Sequence, residues 1–145
     1  MLININPILS PELLFHLRSM GHGEKIILAD ANFPANTSND RVIRLDGVGI
    51  KEAASAILSV FPLDSFIVSQ GGSPALRMEV DDKPEELTET HNEFIEAVKK
   101  EFAIEILSPL SPGNFNLSDN WLSLNSEYSS LILFLTYILI KLISN

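Results

Sequence analysis

The chain has 145 residues, no cysteine, and 19 acidic against 10 basic side chains, for a formal charge of −9. That length can bury a real core in one domain. An acidic balance without any basic, aromatic-interleaved cluster argues against nucleic acid and anionic membrane surfaces as partners, because such binding draws on counterion release by Lys and Arg, and the missing cysteines exclude disulfides, thiolate metal sites and a cysteine nucleophile.

The opening MLININPILSPELL has neither the basic start nor the continuous apolar stretch of a signal peptide, so a cytoplasmic location is expected. Ser10-Pro11-Glu12 starts a segment with Leu13, Leu14, Leu17 and Met20 at helical spacing, and Ser followed by Pro at the first helical position is a start signal. Gly21 and Gly23 end that helix. Lys25 to Ala29 predicts a short buried strand, stopped by Asp30-Ala31-Asn32-Phe33-Pro34. RVIRLDG (41–47) alternates as a second strand does, and Ile50 to Val60 returns to helical period through Ala53, Ala54, Ile57 and Leu58. Pro62-Leu63-Asp64 breaks it, SFIVS (65–69) reads as a third strand, and ALRMEV (75–80), after Gly71-Gly72, as a fourth. DDKPEELTE is an acidic, solvated loop, and His91 to Ile104, with Phe94, Ile95, Val98 and Phe102 in register, is an amphipathic helix. Strands alternating with helices predict an α/β fold.

Beyond about Ile106 the pattern changes. Residues 107–130 mix Ser, Asn and Leu without a clear period, and 131–143 (LILFLTYILIKLI) is an almost unbroken apolar run. Thirteen residues fall short of the roughly 20 that span a bilayer. Three readings of the run stay open: a buried or partner-covered helix or strand, a segment outside the fold, or a membrane-associated stretch.

The chemistry-bearing residues are His22, Asp30 and Asp64, each at the edge of a predicted element. Polar residues at the carboxyl ends of strands converge on the ligand crevice of open α/β sheets, which is where Asp30 stands. A histidine at His22 is suited to general acid or base work near neutral pH, and flanking glycines allow a ligand to approach the backbone closely. The plainer readings stay open beside these: a surface histidine next to a helix-ending glycine, and a carboxylate that starts a turn by bonding its own backbone. His16 and His91 read as surface or packing residues. No third glycine completes a dinucleotide fingerprint, no G-x-S-x-G or phosphate cradle occurs, and the three histidines lack metal-ligand spacing, so neither cofactor nor metal is expected.

Taken in order, LSPELL (9–14), MGHGEKIILADANFPA (20–35), VIRLDGVGI (42–50) and PLDSF (62–66) resemble the L-fucose mutarotase branch of the family that also contains D-ribose pyranase. The similarity is continuous over roughly residues 5–80 and weaker to about Ile106. The resemblance implies a three-layer α/β/α single domain around a mixed sheet, spanning residues 1–106. It also implies homo-oligomeric rings with sites at or near subunit contacts, and cofactor-free exchange of the α and β anomers of a free monosaccharide, here L-fucose. Carried over by position, His22 matches the family's proton-donor histidine and Asp30 the sugar-binding aspartate after it, while Asp64 and Met78 fall on sugar-contacting positions. The family's last third holds a block of the type RFxFYxRAKKAFAVVATGE and a YGN-containing strand, which supply a catalytic tyrosine and a sugar-holding Tyr/Asn pair. Residues 107–145 match neither block, so Tyr128, Tyr137 and Gly113-Asn114 receive no role, and this stretch reads as a divergent apolar tail.

Overall fold

Ser10 and Pro11 start the first helix, α1 (Pro11–Ser19): the Ser10 hydroxyl accepts the Leu13 N–H at 3.1 Å, and Pro11 occupies a position whose N–H has no helical partner to lose. The helix buries Leu13 and Leu17 and stops where Met20 turns extended. The computed structural model describes residues 2–22, 24, 26–38, 41–70, 73–78, 80, 83, 85–102, 108–110 and 138–142. Gly23, Gly71, Gly72, the end of the helix expected to reach Ile104, and Gly113, Asn114, Tyr128 and Tyr137 lie outside them.

Strand β1 (Ile26–Ala29) is buried at all four positions, as a strand covered on both faces must be. Its side chains alternate between two clusters. Ile26 and Leu28 join the larger core with Leu13, Leu17, Ile43, Leu45, Ala53, Ile57 and Phe94, while Ile27 and Ala29 face a smaller group of Phe33, Ala35 and Met78. The period of two thus puts a layer on each face of the sheet. After β1 the chain makes a turn and a short helix, α2 (Ala35–Ser38), then β2 (Val42–Leu45). The Leu45–Val48 turn needs a left-handed residue, and Gly47 supplies it at φ +75°.

Helix α3 (Ile50–Leu58) buries Ile50, Ala53, Ala54, Ala56, Ile57 and Leu58. Its alanines let it lie along α5 (Glu89–Phe102), which buries Phe94, Ala97 and Val98. Between them come α4 (Ser65–Ser69) and β3 (Leu76–Met78), and after α5 come β4 (Ser108–Leu110) and β5 (Ile138–Leu142). The order in the main sheet is β1-β5-β2, with both pairings parallel: Ile27 aligns with Leu139 and Ile43 with Ile140. Within the apolar run, then, Ile138–Leu142 take the central strand. A second parallel pair joins β3 to β4, and an antiparallel bridge links Val80 to Lys83. The α/β class expected from alternation holds.

SFIVS is a correction: it forms helix α4 rather than a strand. The Asp64 carboxylate accepts the Phe66 N–H at 2.8 Å and the Ser69 hydroxyl donates to the Phe66 carbonyl at 2.7 Å, so side chains close the turn that a ladder would have to supply. Three consecutive apolar residues carry no period that separates strand from helix. Among the described residues, no helix is long and apolar enough to cross a membrane.

Candidate active site

His22 sits in the turn between α1 and β1. Glu24 closes that turn, its carboxylate accepting the Gly21 N–H at 2.7 Å and its own N–H donating to the Gly21 carbonyl at 3.3 Å. The imidazole stands out from it, with 72% of its side chain exposed, and its Nδ1 lies 3.7 Å from Oδ2 of Asp64. That is ion-pair reach, longer than a hydrogen bond. Asp64 is held from its other oxygen, since Oδ1 takes the Phe66 N–H that opens α4. The Phe66 ring meets His22 edge to face at 6.0 Å and 70°, with more than half its surface in solvent. Two sequence-predicted residues, His22 and Asp64, are therefore brought together on the amino side of β1.

Asp30 follows the last residue of β1. Because β1, β5 and β2 run parallel, it stands at the carboxyl edge of the sheet, where crevices of this class open. Its Oδ1 accepts the Asn32 N–H at 2.7 Å and its carbonyl the Phe33 N–H at 3.1 Å, so it does start a turn on its own backbone. Among the described residues, no donor reaches the second carboxylate oxygen, which can accept from others. Met78, at the end of β3, is buried with Ala29 and Phe33. This places Met78 with the Asp30 end of β1, away from His22. The four residues form two groups, one at each end of a single strand.

Of the other histidines, His16 on α1 packs its ring against Phe15 at 5.4 Å, and His91 is buried to 1% exposure at the start of α5. Burial, and secondarily the positive charge of Arg77, push the His91 pKa below the ordinary 6.5. Arg77 is a site feature that sequence reasoning misses. It is 4% exposed, and its guanidinium donates to the Met78 carbonyl at 3.3 Å, next to the Asp30 group. Its only signal in the sequence is an arginine set between Leu76 and Met78 in a predicted strand. Among the described residues, no cluster of three His, Asp or Glu could hold a metal ion.

A solvent-facing histidine beside a carboxylate thus stands at one end of β1, and a second carboxylate at the carboxyl edge of the parallel strands of an α/β sheet. The sequence model of the RbsD / FucU transport protein family matches residues 3–111, and the chain belongs to that family. Among solved structures, it is similar to the fucose mutarotase of Streptococcus pneumoniae in complex with L-fucose, at 27% identity and a TM-score of 0.72 over 97% of this chain and 88% of that one. FucU of Bifidobacterium longum matches at 30% identity and TM-score 0.71 over 92% of this chain and 98% of that one. The protein Atu2016, provisionally assigned to sugar binding, matches at 26% identity and TM-score 0.77 over 100% and 88%.

Proposed function

We propose that this protein interconverts the α and β anomers of free L-fucose, with His22 moving the proton and Asp30, Asp64 and Met78 contacting the sugar. The observation that carries the reading is the His22–Asp64 approach at 3.7 Å on a largely exposed imidazole. It is supported by similarity to a mutarotase holding L-fucose. Opening a pyranose hemiacetal needs a proton delivered to the ring oxygen, here from the protonated His22 ring, while the anomeric hydroxyl gives its proton to water. Rotation about C1–C2 and re-closure on the other carbonyl face then invert C1, as the C5 hydroxyl returns its proton to the imidazole and the carbonyl oxygen takes one back from water. Carboxylates suit the sugar hydroxyls because an ionised oxygen accepts charge-assisted hydrogen bonds. No step needs a cofactor. A cytoplasmic, ring-type homo-oligomer belongs to the same reading.

Saturation-transfer NMR on equilibrated L-fucose tests it. Exchange between the anomers above the buffer rate is the expected result, and none from a folded, oligomeric preparation would sink it. The same assay with D-ribose separates fucose from ribose pyranase activity. A second reading, a sugar-binding subunit with impaired catalysis, is favoured by the absence of the family's tyrosine block from residues 107–145. Fucose binding without rate enhancement, lost in Asp30→Ala, would select it.

A further inference from the structure

We infer that Asp64 and Phe66 act as one positioning unit on His22, fixing which imidazole nitrogen faces the sugar; the inference rests on the proposed role of His22. Three contacts carry it. Asp64 Oδ2 lies 3.7 Å from His22 Nδ1, Asp64 Oδ1 holds the Phe66 N–H at 2.8 Å, and the Phe66 ring stands against the imidazole at 6.0 Å and 70°. One carboxylate thereby ties the turn before β1 to the first residues of α4, and Asp64 and Phe66 reach the imidazole through that one tie.

The consequence is chemical. An imidazole can carry its single proton on either nitrogen, and the group facing one nitrogen decides the tautomer. A carboxylate only accepts, so it selects the form with the proton on Nδ1 and leaves Nε2 facing the sugar, to take a proton and, once it holds one, to give it. Among the described residues, these are the contacts that hold so exposed a ring. Phe66 supplies the steric stop, since edge-to-face pairs at this separation are favourable and restrict rotation of the ring they meet. The 3.7 Å separation is the loose geometry of an unliganded acid/base pair, which shortens as a ligand excludes water. In this scheme Asp64 acts through His22 in addition to the bond it offers the sugar.

Two measurements on the oligomeric protein test this. Nitrogen-15 shifts of the His22 imidazole should report the Nδ1-protonated tautomer in the wild type and a shift toward the Nε2-protonated form in Asp64→Asn. That variant retains a carbonyl oxygen for the Phe66 N–H, so α4 keeps its start. Since fucose is not needed, the tautomer result stands apart from success or failure of the mutarotase reading. An unchanged tautomer overturns the proposal. In anomer exchange, Asp64→Asn should lower kcat at least about tenfold, over and above any rise in KM from the altered sugar contact, as expected when a positioned acid/base group is disturbed. A raised KM with unchanged kcat would leave Asp64 as a sugar contact alone and overturn the proposal. Phe66→Ala should lower kcat in the same way, with Phe66→Leu restoring most of it; equal losses in the two variants would remove Phe66 from the unit.

Discussion

Thr88 and His91 cap the first turn of α5 reciprocally: the His91 N–H donates to the Thr88 hydroxyl and the Thr88 N–H donates to His91 Nδ1, each at 3.2 Å. This is the capping box with histidine in the place normally held by Glu or Gln. Because Nδ1 accepts, the neutral ring carries its proton on Nε2, a buried atom that has no hydrogen-bond partner among the described residues.

A charged His91 could no longer accept from Thr88, and its burial and the nearby Arg77 charge oppose protonation as well. The folded pKa therefore lies below the unfolded value, and as pH falls past about 6.5 the unfolded chain binds a proton the folded chain refuses. Stability from this group is complete above that pH and is lost as pH falls toward the depressed folded pKa, at a rate of at most about 1.4 kcal/mol per pH unit. His91→Gln keeps the acceptor and does not titrate. We expect the drop in Tm between about pH 7 and pH 5.5 to be smaller in His91→Gln than in the wild type, as linkage requires; equal drops would assign the acid sensitivity to other groups.

Strand β5 supports the sheet from its centre, since β1 and β2 each pair with it. A chain ending at residue 137 would leave the backbone groups of β1 and β2 that face β5 without their ladder, next to buried Ile26, Leu28, Ile43 and Leu45. We expect such a chain to lose cooperative thermal unfolding, followed by circular dichroism, and to run as aggregate in gel filtration. A sharp transition near the full-length Tm would show that the sheet closes without β5.

What could be read from the sequence follows the range of the interactions involved. The start of α1 was legible because Ser10 and Leu13 lie within one turn, and β1 because IILA is apolar at every position of a strand covered on both faces. SFIVS is the exception: the Asp64 carboxylate that takes the Phe66 N–H is a local cue, but the apolar Phe66-Ile67-Val68 pattern alone favours a strand as readily as a helix. The central place of Ile138–Leu142 was beyond reach, since strand pairing between residues as distant as Ile27 and Leu139 leaves no local trace. The site divides the same way. Asp30 could be placed from its position after a strand, whereas the approach of His22 to Asp64 depends on how α3 returns the chain across the sheet, and the burial of Arg77 and His91 depends on packing between elements.

Asp30→Asn separates charge from shape. Asparagine retains an oxygen for the Asn32 N–H, so the turn after β1 should survive with little change in Tm. What disappears is the negative charge offered to sugar hydroxyls. Exchanging a charge-assisted for a neutral hydrogen bond should raise the KM for L-fucose about tenfold. Saturation-transfer rates measured over a range of fucose concentrations check this, and an unaltered KM would remove Asp30 from the sugar site.

The two groups at opposite ends of β1 give the last prediction. Four strand residues cover about 13 Å at 3.3 Å per residue, more than a pyranose ring can bridge. If His22 and Asp30 serve one sugar, a ring of subunits can meet the requirement by setting the Asp30 edge of one copy against the His22 edge of the next. His22→Ala and Asp30→Asn chains would then be weak or inactive alone. Unfolded together in equal amounts and reassembled, they should regain about a quarter of the wild-type exchange rate, because in a randomly mixed ring one contact in four joins two intact edges. Mixing the two variants after separate assembly is the control. No gain from co-assembly would mean that both residues act within one chain, and that the turn carrying His22 must swing toward the carboxyl edge when sugar binds.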